Sequence, residues 1–144
     1  MKRILIVVTV LAGMAQSVSA QGSNAARYLV RERIAEACAG GAGSFDPAGI
    51  IERDLTRDGR DDLILFDHHL SCWGGIGRSR FCGAAACAYT IFVREGDLLQ
   101  PKHQGLSVEH VWVESGTPPV VKATGAAASG YATIQLRWDG SGFR

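Results

Sequence analysis

Residues 54–62 place oxygen-bearing side chains at alternate positions around a glycine. Hard cations such as Ca²⁺ take six to eight oxygen ligands, which a short loop supplies from alternating side chains and a backbone carbonyl. Gly59 permits the sharp turn that such a loop needs. The spacing therefore predicts a Ca²⁺ site whose ligands are Asp54, Thr56, Asp58, the carbonyl of Arg60, and Asp62.

The same stretch resembles the metal loop of FG-GAP and related VCBS-type repeats, which occur in integrin-type propellers and in many exported bacterial proteins. The residues that match are Asp54, Asp58, Gly59, Asp62 and Leu63, whereas Thr56 replaces the usual Asp or Asn. The resemblance implies a calcium loop between two strands. It covers residues 54–63 and the strands beside them, and the further copies that would close a propeller are missing from the sequence.

Two other interpretations of this loop compete with the first. An EF-hand requires a bidentate Glu at position 12 of its loop, and Leu65 occupies that position here. Without that ligand we expect weak Ca²⁺ affinity, with a Kd on the order of 10⁻⁴ to 10⁻³ M. The other interpretation is structural: the carboxylates cap backbone amides and pair with Arg53, Arg57 and Arg60 in an Asp-Gly turn.

A second motif is Asp67-His68-His69, which follows the apolar run Leu63–Phe66. It resembles the triplet that binds catalytic metal at a strand end in the DHH phosphoesterases. Those enzymes need further Asp-containing motifs and a second domain, for which this chain has no room. A small metal-dependent hydrolase using Asp67, His68 and His69 is therefore the alternative to a non-catalytic protein.

The four cysteines are Cys38, Cys72, Cys82 and Cys87. In an oxidising compartment an even number of cysteines predicts disulfides, and four cysteines allow three pairings. Cys82 and Cys87 flank four small residues that can fold back, which favours the pairs Cys82–Cys87 and Cys38–Cys72. The competing interpretation, a zinc or copper site that includes His68 and His69, requires reduced thiols and a standard zinc spacing.

The chain begins with the features of a secretory signal. Lys2 and Arg3 precede an apolar run that is too short to span a bilayer, and Val18-Ser19-Ala20 offers small residues for cleavage. We therefore expect a signal peptide over residues 1–20 and one periplasmic or secreted domain over residues 21–144, with no membrane insertion after signal removal. The chain has 15 Lys and Arg against 14 Asp and Glu, so the near-neutral balance predicts no nucleic-acid partner.

The pattern of apolar residues predicts an α+β fold. Ala26, Val30, Ile34 and Cys38 recur every four residues, which indicates an amphipathic helix capped by Asn24 and ending near Ala39. Strands are predicted at the following positions: Ile50-Ile51, Leu63–Phe66, Ala88–Arg94, Leu98-Leu99, Leu106–Val113, a short Val120-Val121, and Thr133–Trp138 before a final hairpin. We expect the helix to pack on an antiparallel sheet of five to seven strands, stabilised by disulfides.

A glycine-rich loop after Cys72 carries Trp73, Arg78, Arg80 and Phe81. Aromatic and arginine side chains dominate the residues that contribute most to binding at interfaces, so this loop is a candidate binding patch. Packing of Trp73 over the core is the alternative role for the loop. The sequence as a whole predicts an exported, monomeric, non-catalytic binding or structural domain with a weak Ca²⁺ loop, and its expected partner is a protein or glycan of the envelope.

Overall fold

The computed structural model of the protein describes residues 22–75 and 77–144. The predicted secretory signal, residues 1–20, lies outside the described residues. The described chain forms one α-helix and nine antiparallel strands. Their bounds are α1 Asn24–Ala37, β1 Gly43–Phe45, β2 Ile50–Arg53, β3 Asp62–Phe66, β4 Leu70–Cys72, β5 Cys87–Glu95, β6 Leu98–Ser107, β7 Val111–Glu114, β8 Val120–Ala127 and β9 Gly130–Arg137.

The strands form three sheets. Their orders are β1-β4, β2-β3-β5-β6 and β7-β8-β9. The prediction of one helix, antiparallel pairing and disulfides is confirmed, whereas the prediction of a single sheet of five to seven strands is wrong. The described part of the chain is mostly β. It has three sheets because the two short strands β1 and β4 form a ribbon of their own and the strands after residue 110 form a separate sheet.

The central strand β3 is buried on both faces, which explains its unbroken apolar sequence. Successive side chains of a strand point to opposite faces. Ile64 and Phe66 join a core between the four-stranded and three-stranded sheets, which also contains Ile91 and Val121. Leu63 and Leu65 join a second core, which includes Ala26 of α1. The four-stranded sheet therefore lies between the helix and the three-stranded sheet.

Helix α1 is held to the sheet at its first turn. The side chain of Ser23, rather than that of Asn24, caps the helix by accepting a hydrogen bond from the Ala26 N–H at 3.2 Å. The Ser23 N–H donates to both carboxylate oxygens of Glu52 at 3.1 Å, and Arg94 donates to the Ser23 hydroxyl at 3.0 Å. Among the described residues, no helix combines the length and apolarity required to cross a membrane.

Two boundaries after residue 100 differ from the sequence-based expectations. The predicted strand 106–113 is divided, because the chain turns at residues 108–110 and the hydroxyl of Ser107 donates to the His110 carbonyl at 2.7 Å. The segment 125–130, which lies between the predicted strands Val120-Val121 and Thr133–Trp138, belongs largely to strands, because β8 continues to Ala127 and a two-residue turn leads into β9. Small residues such as those of this segment have low strand propensity, which pairing with β9 overrides.

The described chain closes with the predicted terminal hairpin. Trp138 and Phe143 form an isolated bridge, with ring centroids 5.3 Å apart. One carboxylate oxygen of Asp139 accepts hydrogen bonds from the N–H groups of Ser141 and Gly142, both at 2.9 Å. These donors, with the Ser141 hydroxyl, lower the pKa of Asp139 to about 2.

The Asp139 turn should therefore respond to acid. A carboxylate whose pKa is lowered by folding stabilises the folded state. That stabilisation is fully present above the unfolded pKa and is lost as the pH falls through the folded pKa. We expect the amide shifts of Ser141 and Gly142 to titrate with a midpoint of about pH 2 in an NMR series, and Asp139→Asn to remove that transition. A midpoint at the ordinary value for an aspartate would contradict these hydrogen bonds.

Candidate functional site

The acidic loop lies between β2 and β3. Asp54 caps it: one carboxylate oxygen accepts from the Arg57 N–H at 2.6 Å and the other from the Gly59 N–H at 2.9 Å. Arg57 and Gly59 both have positive φ, +67° and +84°. The glycine adopts this conformation without strain, whereas Arg57 has a Cβ and requires the Asp54 hydrogen bond to hold it there.

Asp58 is tied to Arg60 at the loop surface. It accepts from the Arg60 N–H and from the guanidinium, both at 2.9 Å. The backbone N–H is the main reason that the pKa of Asp58 lies below its ordinary value, so this carboxylate is ionised near neutral pH. The Arg60 guanidinium also donates to the carbonyls of Gly96 and Arg94, which links the loop to the β5–β6 turn.

Asp62 turns into the protein. It is fully buried, and its two oxygens accept from the N–H groups of Leu55 at 2.8 Å and Arg94 at 2.9 Å. Removal from water raises the pKa of Asp62 above its ordinary value, although the two N–H donors oppose that rise. Asp62 therefore fixes the end of the loop to β5.

Thr56 differs from the other predicted ligands. Its hydroxyl oxygen is buried and has no hydrogen-bond partner among the described residues. A buried polar group left without a partner costs about 1–3 kcal/mol. The carboxylates of Asp54, Asp58 and Asp62 thus accept hydrogen bonds from backbone N–H groups, whereas the Thr56 hydroxyl oxygen has no partner among the described residues. In residues 22–75 and 77–144 there is no cluster of three or more His, Cys, Asp or Glu side chains arranged to hold a metal.

Asp67 is the centre of a buried polar cluster. The guanidinium of Arg33 donates to both of its oxygens, with Nη2 at 2.6 Å and Nε at 3.0 and 3.1 Å. The buried Ser79 hydroxyl donates to Oδ1 at 2.9 Å. We call Arg33, Asp67 and Ser79 the Asp67 anchor. It joins α1, the turn after β3 and the segment after β4.

The two histidines of the triplet do not share this environment. His68 is exposed and stacks on Phe66 with ring centroids 5.5 Å apart. His69 is half-buried, and burial is the main reason that its pKa lies below its ordinary value. Their rings meet edge to face with centroids 5.4 Å apart. The geometry supports an ion-pairing role for Asp67 and a packing role for the histidines.

Both predicted disulfides are present. Cys38 pairs with Cys72 and Cys82 with Cys87, and no cysteine is free. They bracket the segment 73–86, which we call the tethered loop. Cys38–Cys72 fixes its start to the end of α1, and Cys82–Cys87 fixes its end to the start of β5. Inside the loop, Ser79 of the Asp67 anchor holds the middle of the described part in place.

The tethered loop presents aromatic and arginine side chains outward. Trp73 is 72% exposed, so it does not cover the core. Two guanidinium groups lie over the Phe81 ring, that of Arg33 at 4.0 Å and that of Arg80 at 5.2 Å from its centroid. Beside Phe81 an open cavity of about 460 Å³ is lined by Arg33, Glu36, Phe81, Ala88, Gln104, Gly105 and Leu106.

Sequence reasoning identified the outer residues of this surface and missed the inner ones. Trp73, Arg80 and Phe81 were recognised by residue type, whereas Arg33 and Ser79 were not. Arg33 is one of several charged residues on a helix, and Ser79 lies 12 residues from Asp67. No local pattern distinguishes them, because their roles come from contacts made across the fold.

Comparisons with protein-family models, curated proteins and solved structures find no match to this chain. The geometry of the described residues is therefore the basis for any functional proposal.

Proposed function

We propose that this protein is an exported, non-catalytic binding domain whose binding surface is the tethered loop together with the cavity beside Phe81. The observation that carries the proposal is the exposure of Trp73 on a loop fixed at both ends by disulfides. Exposing a large indole to water is unfavourable, and a loop whose ends are fixed loses less entropy on binding than a loop that is free at its ends.

The chemistry of the surface indicates the class of ligand. Trp73 offers an apolar plane, Arg80 stacks on Phe81, and Gln104 and Glu36 supply an amide and a carboxylate at the cavity. Flat aromatic faces beside polar groups suit a sugar ring or a peptide side chain. We therefore propose a glycan or protein of the cell envelope as the partner.

The catalytic alternative has less support. A metal at Asp67 would have to compete with three close contacts from Arg33 and one from Ser79. A metal that displaced Arg33 from Asp67 would leave the Arg33 guanidinium without a counter-charge in a nearly buried position, which is strongly unfavourable. These bonds support the non-catalytic interpretation.

Replacing Trp73 by alanine is expected to weaken binding by about thirtyfold or more while leaving the fold intact. Truncation of a central aromatic residue at an interface costs at least about 2 kcal/mol, or roughly thirtyfold in affinity. Capture of envelope extract or of immobilised envelope glycans by the purified protein measures the effect. Tyr28→Ala removes another exposed aromatic side chain, on α1, and should bind like the parent protein.

The proposal fails if Trp73→Ala retains the same material as the parent protein. It also fails if Tyr28→Ala loses binding equally, because the interaction would then depend on general hydrophobicity. Circular dichroism of both variants establishes that each is folded.

We also propose weak Ca²⁺ binding by the acidic loop, because Thr56 has a buried hydroxyl oxygen without a partner. A carboxylate oxygen that accepts one N–H bond retains a second lone pair for a cation. The hydrogen bonds of Asp54 and Asp62 therefore hold the loop in shape without using all of its acceptors. Asp58 would have to exchange the Arg60 guanidinium for the ion.

Millimolar Ca²⁺ is expected to raise the Tm, and Asp58→Ala to remove that rise. At a Ca²⁺ concentration of about ten times Kd, stabilisation is about 1.4 kcal/mol, which shifts the Tm of a domain of this size by roughly 3–7 °C. Differential scanning calorimetry with CaCl₂ measures the shift, with an equal ionic strength of NaCl as reference. Asp61→Ala removes a neighbouring carboxylate outside the predicted ligand set and should keep the shift. A shift that survives Asp58→Ala would place the ion elsewhere.

A further inference from the structure

A second open cavity lies between the first half of α1 and the edge strand β2, and we call it the α1–β2 pocket. Its volume is about 290 Å³. Ala26 and Val30, one helical turn apart, line it on the helix side, and Ile50 lines it on the strand side. These three residues also belong to the second core, so the pocket opens directly onto packed apolar side chains. Its walls are therefore apolar and held in place by the fold.

The rim of the α1–β2 pocket is cationic. Arg27 and Arg31 line it on the helix side, and both are exposed. Arg27 donates to the side-chain oxygen of Asn24. Neither arginine forms an ion pair with a carboxylate of residues 22–75 or 77–144. Like charges four residues apart on a helix repel each other, so an anion bound at this rim relieves that repulsion.

The acidic group in the α1–β2 pocket lies at the opposite end. Both carboxylate oxygens of Glu52 accept from the Ser23 N–H at 3.1 Å, which directs the charge of Glu52 to the start of α1. Arg31 follows Ser23 by eight residues, or about 12 Å along the helix axis. The pocket is therefore polarised, with its negative end at Glu52 and its positive end at Arg31.

We infer that the α1–β2 pocket binds a free aliphatic carboxylate. The acyl chain packs against Ala26, Val30 and Ile50, and the carboxylate accepts hydrogen bonds from the Arg31 guanidinium. Arginine is suited to this role because its planar guanidinium matches a carboxylate. An apolar site with a few polar groups at one end is typical of small-molecule pockets.

Size and charge select this occupant over others. The pocket lies at the lower limit of small-molecule sites, which measure roughly 300–1,000 Å³, so one short acyl chain fills it. A cationic amphiphile would be repelled at the rim, and an uncharged one would leave both arginines unused. The charged residues Glu52 and Arg53 of β2 oppose addition of a peptide strand at this edge.

Titration with sodium octanoate, followed by amide NMR of the purified protein, tests the inference. The amide resonances of Ala26, Val30 and Ile50 should shift and saturate, with a Kd on the order of millimolar for a ligand of this size. Sodium butanoate has four fewer methylene groups to bury and should bind at least about tenfold more weakly. Octan-1-ol lacks the charge and should also bind about tenfold more weakly than octanoate.

Arg31→Gln retains the stem of the side chain and removes the charge, so the Kd for octanoate should rise about tenfold. The matched control is Arg137→Gln on β9, because Arg137 is also exposed and does not line the pocket. It should bind octanoate like the parent protein. The dispersion of the amide spectra establishes that both variants are folded.

Four outcomes overturn the inference. The first is unchanged resonances of Ala26, Val30 and Ile50 at about ten times the expected Kd. The second is equal binding of octanoate by the parent protein and Arg31→Gln. The third is equal binding of octanoate and either butanoate or octan-1-ol, which would indicate a general anion or a merely apolar surface. The fourth is a shift of the same resonances with protein concentration alone, which would place a second copy there.

The result is independent of the binding proposed for the tethered loop. Trp73 does not line the α1–β2 pocket, so Trp73→Ala should bind octanoate like the parent protein. A loss of octanoate binding in that variant would also contradict the location of the site.

Discussion

Replacing Asp67 by alanine is expected to lower the free energy of unfolding by about 3–5 kcal/mol, the cost of breaking a buried ion pair from one side. The variant leaves the Arg33 guanidinium, whose side chain is 11% exposed, without its carboxylate. It also removes the acceptor of the buried Ser79 hydroxyl. Urea denaturation followed by circular dichroism measures the change. Since a domain is typically stable by only 5–15 kcal/mol, the effect should be large.

Two further variants distinguish the ion pair from a general loss of contacts. Asp61→Ala removes an exposed carboxylate and should change stability by less than about 0.5 kcal/mol. The double variant Arg33→Met/Asp67→Leu replaces both charges by apolar groups and should recover much of the loss, because no buried charge remains unpaired. A loss below about 1 kcal/mol in Asp67→Ala would contradict the buried pair.

Removing the Cys38–Cys72 disulfide is expected to be the other large effect. Its cysteines are 34 residues apart, whereas Cys82 and Cys87 are 5 apart. In the chain-entropy model a longer closed loop restricts the unfolded chain more, and the two disulfides are worth about 4 and about 2 kcal/mol. Cys38→Ser/Cys72→Ser should therefore destabilise the protein about twice as much as Cys82→Ser/Cys87→Ser, as measured by urea denaturation under non-reducing conditions.

Equal losses, or a larger loss from the Cys82–Cys87 variant, would contradict this order. Binding adds a second comparison. Each variant frees one end of the tethered loop, so both should bind envelope material more weakly than the parent protein even at temperatures where they are fully folded.

Local sequence patterns predicted the elements whose signals are local. The apolar run at β3, the loop before it, the hairpin at Asp139 and both disulfides are confirmed. The number of sheets was not predictable in the same way. Division of the predicted strand 106–113 depends on a hydrogen bond from Ser107 to the His110 carbonyl, and continuation of β8 depends on its pairing with β9. Neither contact can be predicted from the alternation of apolar and polar side chains along the sequence.

The residues of the proposed binding surface were predictable to the same degree. Residue type identified Trp73, Arg80 and Phe81, because large aromatic and arginine side chains are informative wherever they occur. The Asp67 anchor was not predictable, since Arg33 and Asp67 are 34 residues apart and either could have faced water. For the acidic loop, spacing identified the residues, but not that Asp62 directs its carboxylate into the core.

The clamp of Ser23 to Glu52 and Arg94 has a practical consequence for biosensor design. It fixes the backbone beside Gly22 to β2 and β5. Helix α1 separates this point from the Cys38–Cys72 crosslink, and a helix of its length spans about 20 Å. A biotin handle attached before Gly22 would orient immobilised molecules with Trp73 facing the analyte. A handle attached after Arg144 would instead place the Trp138–Phe143 hairpin and the neighbouring end of β9 against the chip.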